Sequence, residues 1–373
     1  MSYDIRLYTI NKPNWQILCN EYSLQNEVND TLIVNKKDYQ FIFMKEVPVL
    51  EEDIPDDVFK SLPGLQYLIE CSIQPITSKE NVIKDIIRII KGIAKNAIGT
   101  IYNPQTDEII TPSGLTRTIK YEKTEKFSVL ELTWWFNSRN VLEKNNLINL
   151  LKIIEKYIPE ALPRRYGEFE PPKETYSSIE TFADFLIQNS KMNVWYPTKP
   201  VDYVHFAIPD IIGPVKMGYR FGILSIQIDA CVIEMPGWKK TIKDVFSKIA
   251  FELNAFYADI YILKNHIRSK NVSYNDRSTE QHPIISWWWN GFPKKLGCGI
   301  FVNNELIKYV KIQKSSISQS DKPILIVTEN LEEIKAKELV IDKDIMQPTV
   351  KQESFGFSGL YPRKWPCDGP KLA

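Results

Sequence analysis

Histidine and cysteine are scarce in this 373-residue sequence. The three histidines, His205, His266 and His282, form no HExxH or HxH spacing, which argues against zinc sites and histidine-based hydrolysis. The five cysteines are scattered, odd in number and never form a CxxC pair, which argues against a disulfide framework and a zinc ribbon. Glycine is limited to 15 residues, and no GxGxxG, GxxxxGK[ST] or GxSxG motif occurs. We therefore expect no metal and no cofactor.

Long apolar runs are missing as well. VIKDIIRIIKGIAKNAIG, the most apolar segment, has a charged residue every three or four positions, whereas a membrane-spanning helix needs about 18 apolar residues in a row. The first residues include Asp4, Arg6 and Lys12 and lack the apolar stretch of a signal peptide. We therefore expect a cytoplasmic protein without membrane contact.

Neither sign of charge is in excess. The sequence has 47 Lys+Arg and 46 Asp+Glu, a net charge of +1, and 43% of its residues are hydrophobic. These values are typical of a folded globular protein, and they argue against a disordered chain and against a nucleic-acid coat. The length is sufficient for two domains.

The order of periodic segments predicts an α+β fold. Alternating residues predict strands at 3–9, 31–35, 39–44 and 127–136, and helical spacing predicts helices at about 78–98, 142–158 and 238–256. The proline-rich stretch 195–222 favours a boundary between lobes. We predict an N-terminal lobe at 1–195, a C-terminal lobe at 196–346 and a Pro/Gly-rich tail at 347–373. Each lobe would be a small, mostly antiparallel sheet with one or two packed amphipathic helices.

Two helix starts carry capping signals. Thr77 followed by Glu80 predicts the start of the first long helix, and Gly99 is predicted as its C-terminal cap. Ser177 followed by Glu180 predicts the start of a later helix.

The two halves share an order of elements that indicates an internal duplication. Each has a long strand, a turn, a long amphipathic helix and then a Pro-basic-basic-apolar-Gly pentapeptide, which is Pro163 to Gly167 in one half and Pro293 to Gly297 in the other. A related tetrapeptide starts at Pro362. Convergent turn chemistry is the alternative explanation.

The candidate partner-binding residues lie in one acidic segment and in one aromatic segment that is followed by two lysines. Six acids and no base lie between Glu46 and Asp57, which predicts a solvated, partner-facing loop. Three consecutive tryptophans lie close to two lysines, a composition typical of interface hot spots, and core packing on both sides of a strand is the alternative. The predicted partner-binding residues are Glu51, Glu52, Asp53, Asp56, Asp57, Trp287, Trp288, Trp289, Lys294 and Lys295.

The only catalytic candidates lie in one short segment. Glu168 and Glu170 would project to the same side of an extended chain, next to Arg164 and Arg165. Paired carboxylates can perform acid/base chemistry. Acids beside arginines in a loop are also typical of a solvated ion-pair cluster, so this alternative stays open.

Three segments, MSYDIRLY, GTIYNPQTDEIITP and WWWNGFPKKLG, resemble bacterial immunity proteins that are encoded beside polymorphic toxins. The resemblance implies a cytosolic protein that neutralises a toxin by occlusion and has no active site of its own. We therefore predict a non-enzymatic protein-binding protein that neutralises a toxin or acts as a defence accessory by occlusion. One alternative is a hydrolase or nuclease with an atypical Glu/Arg site. Another is a single-stranded nucleic-acid-binding component, against which the balanced charge argues.

Overall fold

The computed structural model confirms the α+β fold class, with antiparallel pairing in both of its main sheets. It describes residues 3–26, 31–75, 79–114, 116–118, 125–137, 139–170, 172–208, 213–215, 218–269, 272–274, 278–284, 289, 291–312, 323–335 and 339–342. The chain divides into two compact units. Unit 1 comprises residues 1–124 and 269–272, and unit 2 comprises residues 125–268 and 273–373.

Unit 1 contains a nine-stranded sheet. Its strands are β1 (Tyr3–Thr9), β2 (Gln25–Asn26), β3 (Thr31–Asn35), β4 (Gln40–Met44), β5 (Val47–Pro48), β6 (Tyr67–Gln74), β7 (Gly99–Asn103), β8 (Glu108–Ile110) and β9 (Thr116–Thr118). Its helices are α1 (Trp15–Tyr22), α2 (Asp56–Ser61) and α3 (Glu80–Ala97), with a 3-10 helix at Glu51–Asp53. The strand order is β2-β3-β4-β6-β1-β7-β8-β9, and β5 pairs with β6.

The two faces of this sheet carry separate cores. Leu7 of β1 packs with α1 and α3 on one face, and its neighbour Tyr8 packs with Ile54 and Val58 on the other. Helix α3 forms because its apolar residues repeat at three- and four-residue intervals and face the sheet. The buried ones are Val82, Ile86, Ile89, Ile90, Ile93, Ala94 and Ala97.

The end of α3 differs from the predicted one. Ile98, not Gly99, adopts the left-handed conformation that closes the helix, with φ 55°. Gly99 instead begins β7, where a Cβ atom would lie 2.7 Å from the carbonyl oxygen of Tyr8. A glycine is therefore required there for the close approach of β1 and β7. The helix begins after Lys79, and the predicted cap Thr77 lies outside the described residues.

Unit 2 contains a seven-stranded sheet and three smaller sheets. Its strands are β10 (Glu125–Phe136), β11 (Arg165–Gly167), β12 (Glu174–Thr175), β13 (Val194–Tyr196), β14 (Val201–Ala207), β15 (Gly213–Val215), β16 (Gly218–Arg220), β17 (Gly222–Asp229), β18 (Ala255–Ser269), β19 (Val272–Tyr274), β20 (Gly299–Val302), β21 (Val310–Ile312), β22 (Ile324–Val327) and β23 (Leu339–Ile341). Its helices are α4 (Lys144–Tyr157), α5 (Ile179–Gln188) and α6 (Trp238–Glu252). Short 3-10 helices lie at Arg139–Leu142, Pro159–Ala161, Ala230–Glu234 and Ile307–Tyr309. The order of the main sheet is β14-β17-β10-β18-β20-β22, and β19 pairs with β18.

Strand β10 lies in the middle of this sheet and is buried on both faces. Trp134 packs on one face against Phe246 of α6, and Trp135 packs on the other against Tyr257 of β18. Both indoles are fully buried, on opposite faces as alternation along a strand predicts.

The units do not follow the predicted division at residue 195. The stretch 195–222 contains β14, which pairs with β17 inside the main sheet of unit 2, so its prolines do not mark a boundary. The first break between units falls between residues 124 and 125 instead. The predicted tail 347–373 lies outside the described residues.

Both copies of the proposed repeat lie in unit 2. The first consists of β10, α4 and the pentapeptide at Pro163, and the second of β17, α6 and the pentapeptide at Pro293. Strands β10 and β17 pair with each other, and α4 packs on α6. The copies are therefore not the two units, and the duplication stays a prediction.

The N-terminal cap of α5 allows a direct test. Ser178, one residue later than predicted, is the cap, and its Oγ accepts a hydrogen bond from the backbone N–H of Thr181 at 3.2 Å. We expect Ser178→Ala to lower the free energy of unfolding by about 1 kcal/mol in urea titrations, because that N–H loses its partner. Ser177→Ala is the matched control, since Ser177 is exposed and precedes the cap. Equal losses for the two variants would contradict the assignment.

Within the described ranges, no helix is both long enough and apolar enough to cross a membrane.

Candidate functional site

The predicted acidic loop in unit 1 is ordered structure. Asp53 lies in the 3-10 helix, and Asp56 and Asp57 occupy the first turn of α2, where the helix dipole stabilises negative charge. Ile54 and Val58 anchor the segment because both are buried against the sheet. The prediction of a loop was therefore wrong for this segment.

Several of these side chains face solvent from a fixed backbone. Glu51 and Asp56 are exposed, and Asp53 and Asp57 are half-buried. Leu50 lies beside them with 39% of its surface exposed, and its backbone N–H donates to Asp53 Oδ2 at 3.2 Å. The side chain of Glu52 lies outside the described residues. We call this surface the acidic platform, and it consists of Leu50, Glu51, Asp53, Asp56 and Asp57.

The tryptophan segment is only partly a surface feature. Trp289 is fully buried and packs on Phe256, Tyr257 and Phe292, so its predicted role as a partner contact is corrected to a core role. Trp287 and Trp288 lie outside the described residues.

The two lysines that follow this segment are exposed. Lys294 and Lys295 both face solvent. Lys295 forms an ion pair of 2.5 Å with Glu333, and its carbonyl accepts a hydrogen bond from the Tyr261 hydroxyl at 2.6 Å. Both the side chain and the backbone of Lys295 therefore already have partners within the same chain.

The four catalytic candidates differ in burial. Glu168 and Glu170 are exposed, whereas Arg165 is almost fully buried and donates to the carbonyl of Pro172 at 2.7 Å. Arg164 donates through Nε to the carbonyl of Pro197 at 3.1 Å. Both arginines therefore hold the backbone around the small sheet of β11, β12 and β13.

A polar surface that the sequence analysis missed lies on the main sheet of unit 2. It occupies the face of β10 opposite α4 and α6, where Glu131 is paired in register with Gln227 and Tyr261. The next row joins Thr133 to Ser225 and Asp259, and β14 extends both rows. We call this surface the polar face, and it consists of Glu131, Thr133, Tyr203, His205, Ser225, Gln227, Asp259 and Tyr261.

Glu131 is the central charge of the polar face. It is only 8% exposed, and its Oε1 accepts a hydrogen bond from Ser225 Oγ at 3.1 Å. Its Oε2 accepts from Gln227 Nε2, also at 3.1 Å. These partners are neutral, and among the residues that the structure describes no lysine or arginine forms an ion pair with Glu131. Glu131 also attracts His282, whose ion pair is with Asp259.

Glu131 acts electrostatically on several neighbours. Burial lowers the pKa of His205 and His266, and the charge of Glu131 opposes this shift in both. Both imidazoles are therefore mainly neutral near pH 7. Burial raises the pKa of Tyr203, and the carboxylates of Glu131 and Glu170 raise it further.

His282 and Asp259 form a buried pair beside this carboxylate. His282 Nε2 lies 3.0 Å from Asp259 Oδ1, and Nδ1 lies 3.1 Å from both the backbone nitrogen and the carbonyl oxygen of Ile284. Burial lowers the pKa of His282, but the attraction of Asp259 outweighs it and raises that pKa to about 9. Because both ring nitrogens are engaged, the pair fixes residues 282–284 on the sheet.

Arg268 of β18 is held by two carboxylates and an aromatic ring. Its guanidinium contacts Asp229 at 2.7 Å and Asp202 at 3.4 Å, and it lies 4.0 Å from the centre of the Phe127 ring. Two carboxylates therefore already balance this cation.

A sequence signal for the polar face does exist. Glu131 and Thr133 are alternate polar residues inside a strand that is otherwise apolar, and Ser225 and Gln227 repeat the pattern in β17. Motifs with short spacing, such as HExxH and HxH, cannot reveal this surface, because adjacent strands bring together residues that are far apart in the chain. In the part of the chain that the structure describes, no group of three or more His, Cys, Asp or Glu residues could hold a metal ion.

Neither a known family model nor a curated protein matches this chain.

Proposed function

We propose that this chain is a non-enzymatic protein that binds another protein through the acidic platform of unit 1. The observation that carries the proposal is the ordered backbone of the platform, which holds exposed acids around the partly exposed Leu50. A backbone that is already ordered loses little conformational entropy on binding. Clustered charge of one sign also accelerates association with a partner of opposite charge.

The partner that fits this surface is a basic protein. Enzymes that act on nucleic acids carry basic surfaces of this kind. With the resemblance of three segments to immunity proteins, this complementarity supports a toxin as the partner and occlusion of its basic surface as the mode of neutralisation. The cytoplasm, where such a toxin would act, is the proposed location.

Charge reversal on the platform tests this function. We expect the double variant Glu51→Lys/Asp56→Lys to lower the association rate constant at least about tenfold at low salt, because long-range attraction becomes repulsion. The partner would be the product of a neighbouring toxin gene, purified and immobilised for surface plasmon resonance at 50 and 300 mM salt.

The control carries the same charge change elsewhere. Glu155 and Glu168 are exposed acids of unit 2, so Glu155→Lys/Glu168→Lys changes the net charge equally and should leave the rate within about twofold. A wild-type association rate that does not respond to salt, or equal losses for both double variants, would overturn the proposal.

A further inference from the structure

The polar face of unit 2 has a charge that its own residues do not balance. Glu131 is buried, and its hydrogen-bond donors Ser225 and Gln227 are neutral. Three cations on this side of the sheet are already engaged, since Arg268 contacts Asp229 and Asp202, Lys199 contacts Asp202, and His282 contacts Asp259. A cation brought by a ligand would find at Glu131 a carboxylate that is already dehydrated and oriented.

Exposure to solvent changes along one row of the sheet that ends at this carboxylate. Tyr203, Gln227 and Glu131 are register neighbours on β14, β17 and β10. Adjacent strands are about 4.8 Å apart, so Tyr203 lies roughly 10 Å from Glu131 across the sheet. Tyr203 is 48% exposed and Gln227 is partly exposed, whereas Glu131 is nearly buried. Exposure therefore decreases from the edge strand toward the charge.

An aromatic wall borders the same row. The Tyr203 and His205 rings are stacked, with centroids 6.2 Å apart and an interplanar angle of 29°. The face of an aromatic ring attracts a cation within about 6 Å of its centre. A buried carboxylate behind a partly exposed aromatic ring is a combination that suits an ammonium or guanidinium group.

We propose that the polar face binds an organic cation, an ammonium or guanidinium group, with Glu131 as its counter-charge and Tyr203 as its aromatic contact. Ser225 and Gln227 are positioning residues, because they fix the two carboxylate oxygens. An organic cation needs one carboxylate and an aromatic face, and the described residues supply both. The site does not depend on the acidic platform, so the two proposals can fail separately.

The same chemistry has two sources, a free small amine or guanidine and a lysine or arginine side chain of a protein. Three cationic probes distinguish them by isothermal titration calorimetry, namely spermidine, agmatine and a capped arginine amide. We expect at least one of them to bind the full chain with a dissociation constant at or below about 1 mM. Tighter binding of spermidine or agmatine identifies a free ligand, and tighter binding of the capped amide identifies a side chain. A capped citrulline amide, which is neutral, should bind at least about tenfold more weakly.

Substitution of the carboxylate provides the decisive comparison. Glu131→Gln preserves size and removes the charge, so we expect probe affinity to fall at least about 30-fold. Glu170→Gln is the matched control, because Glu170 is an exposed acid whose charge reaches Tyr203. The affinity of this variant for the probe should stay within about twofold of the wild-type value. Tyr203→Leu should weaken binding about fivefold.

The folded state of the variant is tested independently of binding. Because Glu131→Gln keeps the size of a side chain whose hydrogen-bond donors Ser225 and Gln227 are neutral, we expect the variant to remain folded and to melt in one cooperative transition. Absence of binding of every cationic probe to the wild type at 10 mM would overturn the proposal. Equal binding of the citrulline amide, or equal losses in Glu131→Gln and Glu170→Gln, would also overturn it. Unchanged probe binding in Glu51→Lys/Asp56→Lys is expected, whatever that variant does to a protein partner.

Discussion

Replacement of Trp134 by alanine should lower the free energy of unfolding by about 3–5 kcal/mol. Trp134 is fully buried in the core between the main sheet of unit 2 and its helices, and its ring centroid lies 5.8 Å from that of Phe246. Its indole Nε1 also donates a hydrogen bond to the carbonyl of Phe246 at 3.0 Å. Truncation therefore leaves a large cavity and removes a link between β10 and α6. Urea unfolding followed by circular dichroism measures the loss.

Trp238 provides a control of the same residue type. It lies in the first turn of α6 and is half-buried, so Trp238→Ala removes less buried surface. We expect a loss of at most about 2 kcal/mol for this variant. A smaller loss for Trp134→Ala than for Trp238→Ala would contradict the assignment of Trp134 to the centre of the core.

The free energy of unfolding should fall as the pH rises and the buried pair of His282 and Asp259 loses its proton. The folded-state pKa of His282 is raised from 6.5 to about 9, so the folded chain holds this proton more tightly than the unfolded chain. The contribution is fully present below pH 6.5 and is lost as the pH rises through about 9. At about 1.4 kcal/mol per unit, the free energy of unfolding decreases by about 3 kcal/mol across this window.

A neutral variant isolates this proton. His282→Gln cannot be protonated, and it leaves the buried Asp259 without its cation, so its deficit should be about 3–5 kcal/mol at pH 6.5 and smaller at pH 9. The other titratable groups that the structure places against His282 are Glu131 and Tyr261, and burial raises the pKa of Tyr261. Parallel stability profiles of variant and wild type from pH 6.5 to pH 9 would refute the coupling.

Local pattern was sufficient to predict many individual elements. The strands at Tyr3–Thr9 and Thr31–Asn35 were predicted with the same bounds, because alternation depends only on neighbouring residues. Helix α3 was predicted to within two residues at each end for the same kind of reason. The cap was predicted at Gly99 because a β-branched residue such as Ile98 rarely adopts the left-handed conformation. In the structure Gly99 is needed for the close approach of β7 to Tyr8, which local pattern does not reveal.

Pairing between distant strands was beyond the reach of local pattern. The unit boundary was missed because β14 pairs with β17, and proline content around a strand does not reveal that partner. The polar face was missed for a related reason, since Tyr203, Ser225, Glu131 and Asp259 come from four strands. The prediction that Trp289 contacts a partner was wrong because its indole packs in the core against Tyr257 and Phe292. Tyr257 is distant from Trp289 in the sequence, so local pattern does not reveal this packing.

The junction between α3 and β7 restricts how unit 1 can vary in length. Ile98 closes the helix in a conformation that costs a β-branched residue roughly 1–2 kcal/mol, and the very next residue must be glycine for β7 to approach β1. The residue that closes α3 and the glycine that β7 requires are therefore consecutive in the chain. An insertion or deletion of one residue at this point would turn every side chain of β7 to the opposite face of the sheet. Length changes among relatives of this protein should therefore fall at other connections of unit 1, and this junction should keep its length.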